Sequence, residues 1–279
     1  MTQLFEVQRA SKLVGEVRLP GDKSISHRAL LLGALADGPC RVRHLGHGWD
    51  IVATVGIVRS LGVEIAYHGE SEAWIHGPGG AARLSESPKI LNCLNSGTTA
   101  RLVSGILAGA PVYSVLTGDE SLRSRPMRRI VEPLRAMGAM VDGRDEGSRL
   151  PLSIRGRTRL QAIDWTMETA SAQVKSAILL AGLSAEGETT IREPLPTRDH
   201  TERLLRVMDV PVRTEGGVHI ISGDIIPRSF DLTVPGDPSS AAFIAVAAAC
   251  LPGSQIVFRD LSLNPGRTAY LEVLRRMGA

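Results

Sequence analysis

Small and apolar residues predominate in four stretches of the sequence, and each stretch finishes at a glycine. The stretches are residues 24–38, 98–109, 172–187 and 239–253. A run of this composition that stops at a glycine is typical of a helix. Each predicted helix is followed by a β-like run and then by a second, more amphipathic helix.

The second helices share a terminal tag, which indicates that the chain repeats one structural unit. The tags lie at residues 58–63, 134–139, 204–210 and 274–279. One unit reads strand, helix, strand, helix and strand, and a hairpin such as residues 63–75 closes it. We therefore predict an α/β fold built from repeated βαβαββ units.

The position of the last tag affects the predicted domain organisation. A strand follows the tag in the first two units, whereas the sequence stops at residue 279, where the strand of the fourth unit would begin. We therefore expect the natural protein to be longer, with its fourth unit incomplete in this sequence. The alternative is a chain that ends on a final helix.

Composition narrows the class of protein. The 279 residues are 43% hydrophobic, which suffices for one large core or two smaller ones. The cysteines Cys40, Cys93 and Cys250 are odd in number and lie in apolar surroundings, so we expect buried thiols rather than disulfides or a metal site. Because the N-terminus has no leader pattern and the longest apolar run is residues 241–251, we expect a cytoplasmic protein without membrane insertion.

The net charge of +3 raises the question of nucleic-acid binding. Aromatic residues make up only 4% of the chain and do not interleave with the basic residues. No helix-turn-helix, zinc or RNA-binding motif is present either. Arginines near predicted helix starts suit a small anionic substrate better, so we expect no nucleic-acid partner.

The most informative motif is LPGDKSISHR at residues 19–28, which sets a strand exit against a cationic helix start. A helix start carries unpaired N–H groups and a partial positive charge. Lys23 adds a mobile charge, Ser24 a hydroxyl, and Arg28 a planar fork for carboxylate or phosphate. The motif predicts a site for a small, highly charged anion, and the alternative is an ordinary N-cap with solvated cations.

Two further helix starts carry candidate binding residues. Asn95 and Gly97 open the helix of the second unit, and Arg125 precedes a proline that we expect to open another helix. Ser171 and Gln173 open the helix of the third unit, where a hydroxyl and an amide can reach phosphate and hydroxyl groups.

Other polar residues near these helix starts are either further candidate ligand contacts or structural residues. Lys175 either contacts the same ligand or supports the turn, Arg198 is a candidate contact ahead of a capped helix, and His200 is expected to be structural. We expect the other basic residues of the second unit on a solvated helix face, namely Arg123, Arg128 and Arg129.

Together these motifs resemble the family of EPSP synthase (3-phosphoshikimate 1-carboxyvinyltransferase) over essentially the whole chain and in the expected order. The resemblance rests on GDKSISHR at residues 21–28, NSGTTAR at 95–101, RP at 125–126, SAQ at 171–173 and TRDHTE at 197–202. The first two motifs together are highly specific. The resemblance implies the enolpyruvyl transferase fold, in which two inside-out α/β domains each pack three repeated units around internal helices.

The family architecture also implies the domain boundaries. The Pro-Gly-Asp motif of residues 20–22 recurs at residues 235–237, and these two motifs correspond to the crossings between the domains. Residues 21–234 then form a complete domain of three units that binds shikimate 3-phosphate, whereas residues 1–20 and 235–279 form an incomplete first domain. The absent part is where the family keeps an Asp and a Glu for proton transfer and further cations for phosphoenolpyruvate.

The resemblance implies transfer of the enolpyruvyl group of phosphoenolpyruvate to the 5-hydroxyl of shikimate 3-phosphate, by a monomer without cofactor or metal. Lys23 would assist proton movement. Shikimate 3-phosphate would contact Lys23, Ser24, Arg28, Ser171, Ala172, Gln173 and Arg198. Phosphoenolpyruvate would contact Lys23, Asn95, Gly97, Arg125 and Gln173.

Two positions distinguish branches of this family. Gly97 matches the branch that glyphosate inhibits, which implies a glyphosate target. Ala172 stands where another branch has Ser, so this position offers the ligand no hydroxyl. The alternatives are a catalytically inactive anion-binding fragment of this family and the sister transferase that acts on UDP-N-acetylglucosamine. The opening motif of that sister enzyme lacks the SISHR string.

Overall fold

Two units make up the architecture, in a computed structural model that describes residues 8–279. The large unit is Lys23–Val234, and the small unit joins the residues up to Asp22 to Pro235–Ala279. Residues 1–7, with which the predicted first-domain segment 1–20 begins, lie outside the described residues. From residue 8 onward, no helix combines the length and the apolar character that a membrane crossing needs.

Helices and strands alternate along the chain. The strands are β1 Val14–Val17, β2 Asp37–Arg43, β3 Glu64–His68, β4 Glu72–Pro78, β5 Leu91–Asn92, β6 Tyr113–Thr117, β7 Met140–Gly143, β8 Arg149–Arg155, β9 Leu160–Gln161, β10 Asp164–Thr166, β11 Ala185–Glu186, β12 Glu188–Arg192, β13 Val212–Glu215, β14 Val218–Ser222, β15 Asp231–Thr233 and β16 Gln255–Phe258. The helices are α1 Lys23–Gly33, α2 Trp49–Ser60, α3 Gly97–Ala108, α4 Glu120–Ser124, α5 Arg128–Ala136, α6 Arg144–Gly147, α7 Ala172–Gly182, α8 His200–Val207, α9 Pro238–Ala249 and α10 Ala269–Arg276, with a short 3₁₀ turn at Ala81–Arg83. Asp145 and Glu146 have φ of 51° and 58°, so α6 is a left-handed turn rather than a regular helix.

Three four-stranded sheets of the large unit share one topology. Their strand orders are β15-β2-β4-β3, β5-β6-β8-β7 and β10-β12-β14-β13. In each sheet the first two strands pair in parallel and the other pairs are antiparallel. The second strand in each of these orders is followed along the chain by helical structure and then by the two strands of a hairpin. The predicted repeat and the hairpin predicted at residues 63–75 are therefore confirmed.

Helices α1, α3 and α7 form the interior of the large unit. Of their residues, 9 of 11, 10 of 12 and 10 of 11 respectively are buried. Small residues allow α3 and α7 to approach closely, since a Cβ on Gly105 would lie 2.2 Å from the carbonyl oxygen of Ala177. Strands such as β8 bury alternate residues, so the sheets cover these helices with one face. The predicted inside-out α/β arrangement is confirmed.

The ends of the long central helices differ from the predicted ends. Helices α1, α7 and α9 stop at Gly33, Gly182 and Ala249, before the predicted ends Gly38, Gly187 and Gly253. Those last three glycines have φ of 133°, 94° and 74°, and they lie in or just before the next strand. Only α3 ends as predicted, with Gly109 at its C-cap.

Two of the three cysteines are the buried thiols that the sequence predicts. Cys40 and Cys93 are fully buried, and burial raises their pKa to about 11 and about 12. Cys250 is exposed, so the prediction is wrong for this residue. It follows α9, a helix of the small unit that buries only Pro238 and Ala241.

The small unit pairs β1 with β16 in parallel and carries α9 and α10. The two Pro-Gly-Asp motifs meet in it, because Asp22 N donates to Pro235 O at 2.8 Å and Asp237 N donates to Pro20 O at 3.0 Å. Arg267 bridges both motifs, with Nη2 3.0 Å from Asp237 Oδ1 and Nη1 3.6 Å from Asp22 Oδ2. Two nearly equivalent backbone hydrogen bonds thus pair the two segments that contain these motifs.

Candidate functional site

Lys23 opens helix α1, where the sequence places a cationic helix start. Its side chain is 57% exposed, and its Nζ donates to Asp50 Oδ2 at 2.9 Å. Asp50 belongs to the first turn of α2, and no motif pointed to it. The available signal was an acidic residue at the start of a predicted helix, where carboxylates are favoured. A carboxylate therefore orients the Lys23 ammonium.

Arg28 is only 2% exposed, so the alternative of a solvated cation is wrong for this residue. Its Nε donates to Thr201 Oγ1 at 2.6 Å and its Nη2 to Ser176 Oγ at 2.7 Å. Its Nη1 donates to Ser24 Oγ at 2.9 Å. Because guanidinium is always protonated in proteins, Arg28 supplies a fixed charge that joins α1 to α7 and α8.

A row of buried side chains joins three helices beside this charge. His27 Nδ1 lies 2.7 Å from Thr54 Oγ1, which lies 2.7 Å from Thr99 Oγ1. Thr99 Oγ1 donates in turn to Ser96 Oγ at 2.7 Å. Burial lowers the pKa of His27 from 6.5 to about 3, so the imidazole is neutral near pH 7. The row links α1, α2 and the N-cap of α3.

The loop before α3 holds a strained residue next to the predicted site residues Asn95 and Gly97. Leu94 has φ of 51°, a left-handed conformation that costs about 1–3 kcal/mol in a residue other than glycine. Ser96 then caps α3, and its Oγ accepts from Thr99 N at 3.2 Å. Strain of this kind accumulates where a backbone is shaped for a ligand.

Asn95 and Arg125 lie in one chain of hydrogen bonds. Arg125 Nη2 donates to Asn95 Oδ1 at 2.5 Å, and Asn95 Nδ2 donates to Asp119 Oδ2 at 2.6 Å. Hydrogen bonds from Asn95 and from the backbone N–H of Leu122 lower the pKa of Asp119. The Asp119 carboxylate therefore fixes which amide atom of Asn95 faces Arg125.

The surroundings of Arg125 differ from the prediction in one respect. Pro126 does not open a helix, because α5 begins at Arg128 after the N-cap Met127. Arg125 is instead the C-cap of α4. The neighbouring arginines lie exposed, as predicted: Arg123, Arg128 and Arg129.

Arg101 links two of the helix starts, although the sequence analysis assigned no role to this residue beyond its place in the NSGTTAR motif. Its Nη1 donates to Gln173 Oε1 at 2.9 Å and its Nη2 to Pro126 O at 3.1 Å. Gln173 Nε2 donates to Thr98 Oγ1 at 3.0 Å. Burial and the charges of two nearby arginines lower the pKa of Arg101. The amide of Gln173 is thus held between two groups of α3.

Gly97 lies against two guanidinium groups. A Cβ at this position would be 2.6 Å from Arg101 Nη1 and 3.2 Å from Arg125 Nη1. A larger residue must therefore displace Arg101, because a contact of 2.6 Å is shorter than any real Cβ contact. The missing side chain is what lets the two arginines converge beside the first turn of α3.

The start of α7 carries the predicted residues of the third unit. Ser171 is the N-cap, and its Oγ accepts from Val174 N at 3.4 Å, which leaves the hydroxyl hydrogen for another acceptor. Ala172 is buried in the first turn. Arg198 is half-buried in the loop before α8, and His200 at the start of that helix is buried.

Lys175 supports the turn rather than contacting a ligand. Its side chain is fully buried, with Nζ 3.1 Å from Glu193 Oε1 and 2.8 Å from Glu202 Oε1. Across residues 8–279, no group of three or more His, Cys, Asp or Glu side chains is arranged to hold a metal ion.

Side-chain hydrogen bonds connect the first two turns of α1, α3 and α7. Arg28 joins α1 to α7, and Gln173 joins α7 to α3. Each helix start contributes unpaired N–H groups and a partial positive charge. Lys23, Arg101 and Arg125 add full positive charges. Such an arrangement can bind small molecules that carry phosphate and carboxylate groups.

Known proteins resemble this chain along nearly all of its length. A sequence profile of the family described as EPSP synthase (3-phosphoshikimate 1-carboxyvinyltransferase) matches residues 7–279. The 3-phosphoshikimate 1-carboxyvinyltransferase of Bacillus licheniformis is 48% identical over 271 residues, which are 97% of this chain and 63% of that protein. The enzyme of the same name from an Anaeromyxobacter species is 50% identical over 280 residues, 100% of this chain and 64% of that protein.

A solved structure has the same fold. The EPSP synthase from Acinetobacter baumannii superposes with a TM-score of 0.89 at 45% sequence identity, over 96% of this chain and 60% of that chain. The chain therefore spans slightly less than two thirds of the length of these relatives.

Proposed function

The chain belongs to the EPSP synthase family, and from this premise we propose that its protein transfers the enolpyruvyl group of phosphoenolpyruvate to the 5-hydroxyl of shikimate 3-phosphate. The products would be 5-enolpyruvylshikimate 3-phosphate and inorganic phosphate, in the shikimate pathway to chorismate and the aromatic amino acids. Both substrates carry a phosphate and a carboxylate. Cationic helix starts suit both groups.

The observation that carries this proposal is the connection of three helix starts through Arg28 and Gln173. A two-substrate transfer needs two anion sites close enough for the reacting atoms to meet. The amide of Gln173 contacts both Thr98 and Arg101, so it lies where ligands at α3 and at α7 would adjoin. An ordinary N-cap has no need of such cross-links.

We assign the two substrates to different helix starts. Shikimate 3-phosphate would lie against α1, α7 and the loop before α8, in contact with Lys23, Ser24, Arg28, Ser171, Ala172, Gln173 and Arg198. Phosphoenolpyruvate would lie at the start of α3, in contact with Lys23, Asn95, Gly97, Arg125 and Gln173. The hydroxyl hydrogen of Ser171 and the converging arginines beside Gly97 support these assignments.

The chemistry requires one proton to move while one carbon–oxygen bond forms. The 5-hydroxyl oxygen attacks the central carbon of phosphoenolpyruvate and loses its proton, and the methylene carbon gains a proton. Loss of phosphate and of a methyl proton then restores the double bond. We assign Lys23 to proton movement, because its ammonium is exposed toward solvent and oriented by Asp50. Fixed charges such as Arg28 would offset the charge that develops.

A calorimetric titration of the chain with shikimate 3-phosphate tests the proposal, with UDP-N-acetylglucosamine as the control ligand. We expect saturable binding of the first and none of the second. Lys23→Met should weaken binding about 10- to 100-fold, since a hydrogen bond to a charged group contributes about 1.5–3 kcal/mol. Lys89→Met, at an exposed loop position, should leave binding unchanged.

Two results of this titration would contradict the proposal. One is binding of UDP-N-acetylglucosamine in preference to shikimate 3-phosphate. The other is binding of neither ligand by a sample whose circular dichroism shows a folded chain. Release of inorganic phosphate in the presence of both substrates measures the transfer itself.

We also propose that the protein acts as a monomer in the cytoplasm, on small anions rather than on nucleic acid. The free thiols of Cys40, Cys93 and Cys250 support a reducing compartment. Sedimentation equilibrium at several concentrations tests the monomeric state.

A further inference from the structure

Four buried ionisable side chains adjoin the candidate site without a place in the proposed reaction: Lys175, Glu193, Glu202 and His219. Each side chain is at most 3% exposed. Lys175 Nζ lies 3.1 Å from Glu193 Oε1 and 2.8 Å from Glu202 Oε1. His219 Nε2 lies 2.8 Å from Glu193 Oε1, and its Nδ1 lies 3.5 Å from Glu202 Oε1. These contacts define an ionic cluster.

The ionic cluster places two carboxylates around one ammonium in the protein interior. Buried charges are tolerated only when they are paired, and removal of one partner leaves the others uncompensated. Burial alone would raise the pKa of Glu193, but hydrogen bonds from Thr197 and His219 and the charge of Lys175 outweigh burial and lower it. Glu193 therefore remains a carboxylate that requires its partners. The cluster ties α7 to α8, to β14 and to the end of β12.

Glu193 connects the ionic cluster to a residue that we assign to shikimate 3-phosphate. Its Oε1 faces Lys175 and His219, while its Oε2 accepts a hydrogen bond from Thr197 Oγ1 at 2.6 Å. Arg198 follows Thr197 directly, in a segment between β12 and α8 without regular structure. This hydrogen bond therefore fixes the segment immediately before Arg198.

The ionic cluster also borders the partners of Arg28. Ser176 Oγ and Thr201 Oγ1 accept from the Arg28 guanidinium at 2.7 Å and 2.6 Å and lie 2.7 Å from each other. The residues next to them in sequence are Lys175 and Glu202, which form the ion pair between the same two helices. A shift of α8 against α7 that broke this ion pair would also move the hydroxyls that orient Arg28.

We propose that the ionic cluster is a positioning device that holds Arg198 and Arg28 in place for shikimate 3-phosphate. Lys175 and Glu193 are positioning residues, because they act through Thr197 and the α7–α8 contact rather than on the substrate. The identity of the ligand rests on the proposed function, whereas the positioning itself does not.

The sharpest test is Thr197→Val, which removes one hydroxyl and leaves the ionic cluster intact. Its matched control is Thr189→Val in β12, where the buried Oγ1 has no hydrogen-bond partner among residues 8–279. We expect Thr197→Val to lower shikimate 3-phosphate affinity about five- to tenfold, the range of one lost hydrogen bond. We expect faster amide hydrogen exchange at residues 197–200 in this variant and unchanged affinity and exchange in the control.

Ligand affinity and amide hydrogen exchange together distinguish failure of the positioning proposal from failure of the proposed function. If the wild-type chain does not bind shikimate 3-phosphate, the proposed function fails, and faster exchange at residues 197–200 in Thr197→Val alone still supports the positioning. Exchange that is the same in Thr197→Val and in the wild type overturns the positioning. So does wild-type affinity for shikimate 3-phosphate in that variant.

A second variant tests the charges themselves. Lys175→Met alone leaves two buried carboxylates without a positive partner, so we expect this single variant to unfold. We therefore combine it with Glu193→Leu and Glu202→Leu. Apolar replacement of buried ion-pair partners together commonly preserves folding, and the fourth member of the cluster, His219, keeps its contact of 3.2 Å between Nδ1 and Thr214 Oγ1. We expect the triple variant to fold and to bind shikimate 3-phosphate at least about tenfold more weakly, because the acceptor for Thr197 is gone. Wild-type affinity in this variant would also overturn the proposal.

Discussion

Gly97 of α3 has no Cβ, and two guanidinium groups lie close to the position that a Cβ would occupy. Gly97→Ala would place a Cβ 2.6 Å from Arg101 Nη1, so Arg101 must move and its hydrogen bond to Gln173 must weaken. We expect phosphoenolpyruvate to bind about tenfold more weakly in the presence of shikimate 3-phosphate, since a charged hydrogen bond contributes about 1.5–3 kcal/mol. Glyphosate should lose affinity as well, because the methyl group would crowd it. Titration calorimetry with each ligand measures both effects.

A second glycine supplies the control for this substitution. Gly56 lies in α2, and a Cβ there would meet no atom within 4 Å. Gly56→Ala should therefore leave ligand binding unchanged and favour the helix slightly. Unchanged affinity of Gly97→Ala for both ligands would remove Gly97 from the proposed phosphoenolpyruvate site.

At the scale of elements, the row from His27 through Thr54 and Thr99 to Ser96 makes the packing of α1, α2 and α3 sensitive to acid. The unfolded imidazole takes up a proton near pH 6.5, whereas the folded one does so only near pH 3. Between these values the unfolded state binds more protons, so stability falls as the pH falls. The contribution of the neutral His27 imidazole to folding stability is fully present above pH 6.5 and is lost progressively toward pH 3.

The corresponding experiment compares His27→Gln with the wild type by urea unfolding at pH 7 and pH 5. Since each pKa unit corresponds to about 1.4 kcal/mol, we expect the wild type to lose about 2 kcal/mol more between these two pH values than the variant does. His47→Gln, at an exposed position, should keep the pH dependence of the wild type. Identical pH dependence in all three proteins would show that the pKa of His27 does not differ between the folded and unfolded states.

Sequence patterns located the elements of this fold better than the contacts between them. Helix starts, turn glycines and the repeat are local features, so α1, α3 and α7 could be predicted from composition and spacing. Helix ends could not, because turns and strand starts also select glycine: Gly38, Gly187 and Gly253 have φ of 133°, 94° and 74° and lie beyond the ends of α1, α7 and α9. In the sequence, a glycine beyond the end of a helix looks like a glycine at its end.

The same contrast between local features and tertiary contacts holds for the residues of the candidate site. Most residues of the quoted motifs lie at helix starts, as predicted, because those motifs encode caps and turns, whereas Arg125 is the C-cap of α4. The partners that orient them lie far away in sequence: Arg101 and Gln173 are 72 positions apart, and Arg28 and Ser176 are 148 apart. No local pattern records such a pair, so Asp50, Arg101 and the ionic cluster become visible only in the folded chain.

At the scale of the whole molecule, the two units differ greatly in buried apolar content. The contiguous hydrophobic core runs from Ala29 to Val234 and lies entirely in the large unit. In the small unit, α9 buries only Pro238 and Ala241, and α10 buries no residue. Phe243 of α9 is 81% exposed. Stability should therefore be distributed unevenly along the chain.

Native-state hydrogen exchange measures this distribution. Amides in α3 and α7 should exchange only when the large unit opens, whereas those in α9 and α10 should exchange through local opening, at least about 100-fold faster. The first turn of each helix serves as an internal control, because its N–H groups lack helical partners. Equal protection of α7 and α9 would contradict the expectation.

The pairing of the two Pro-Gly-Asp motifs has a consequence for engineering. Gly21 and Gly236 form an antiparallel bridge, so the entry and exit of the large unit are neighbours in space, as in a domain inserted into a host at one point. We therefore expect that residues 23–234 can be moved into another protein as one unit. Its ends can be joined by a short linker and new termini opened in an exposed loop, provided that β15 stays paired with β2 and completes the first sheet.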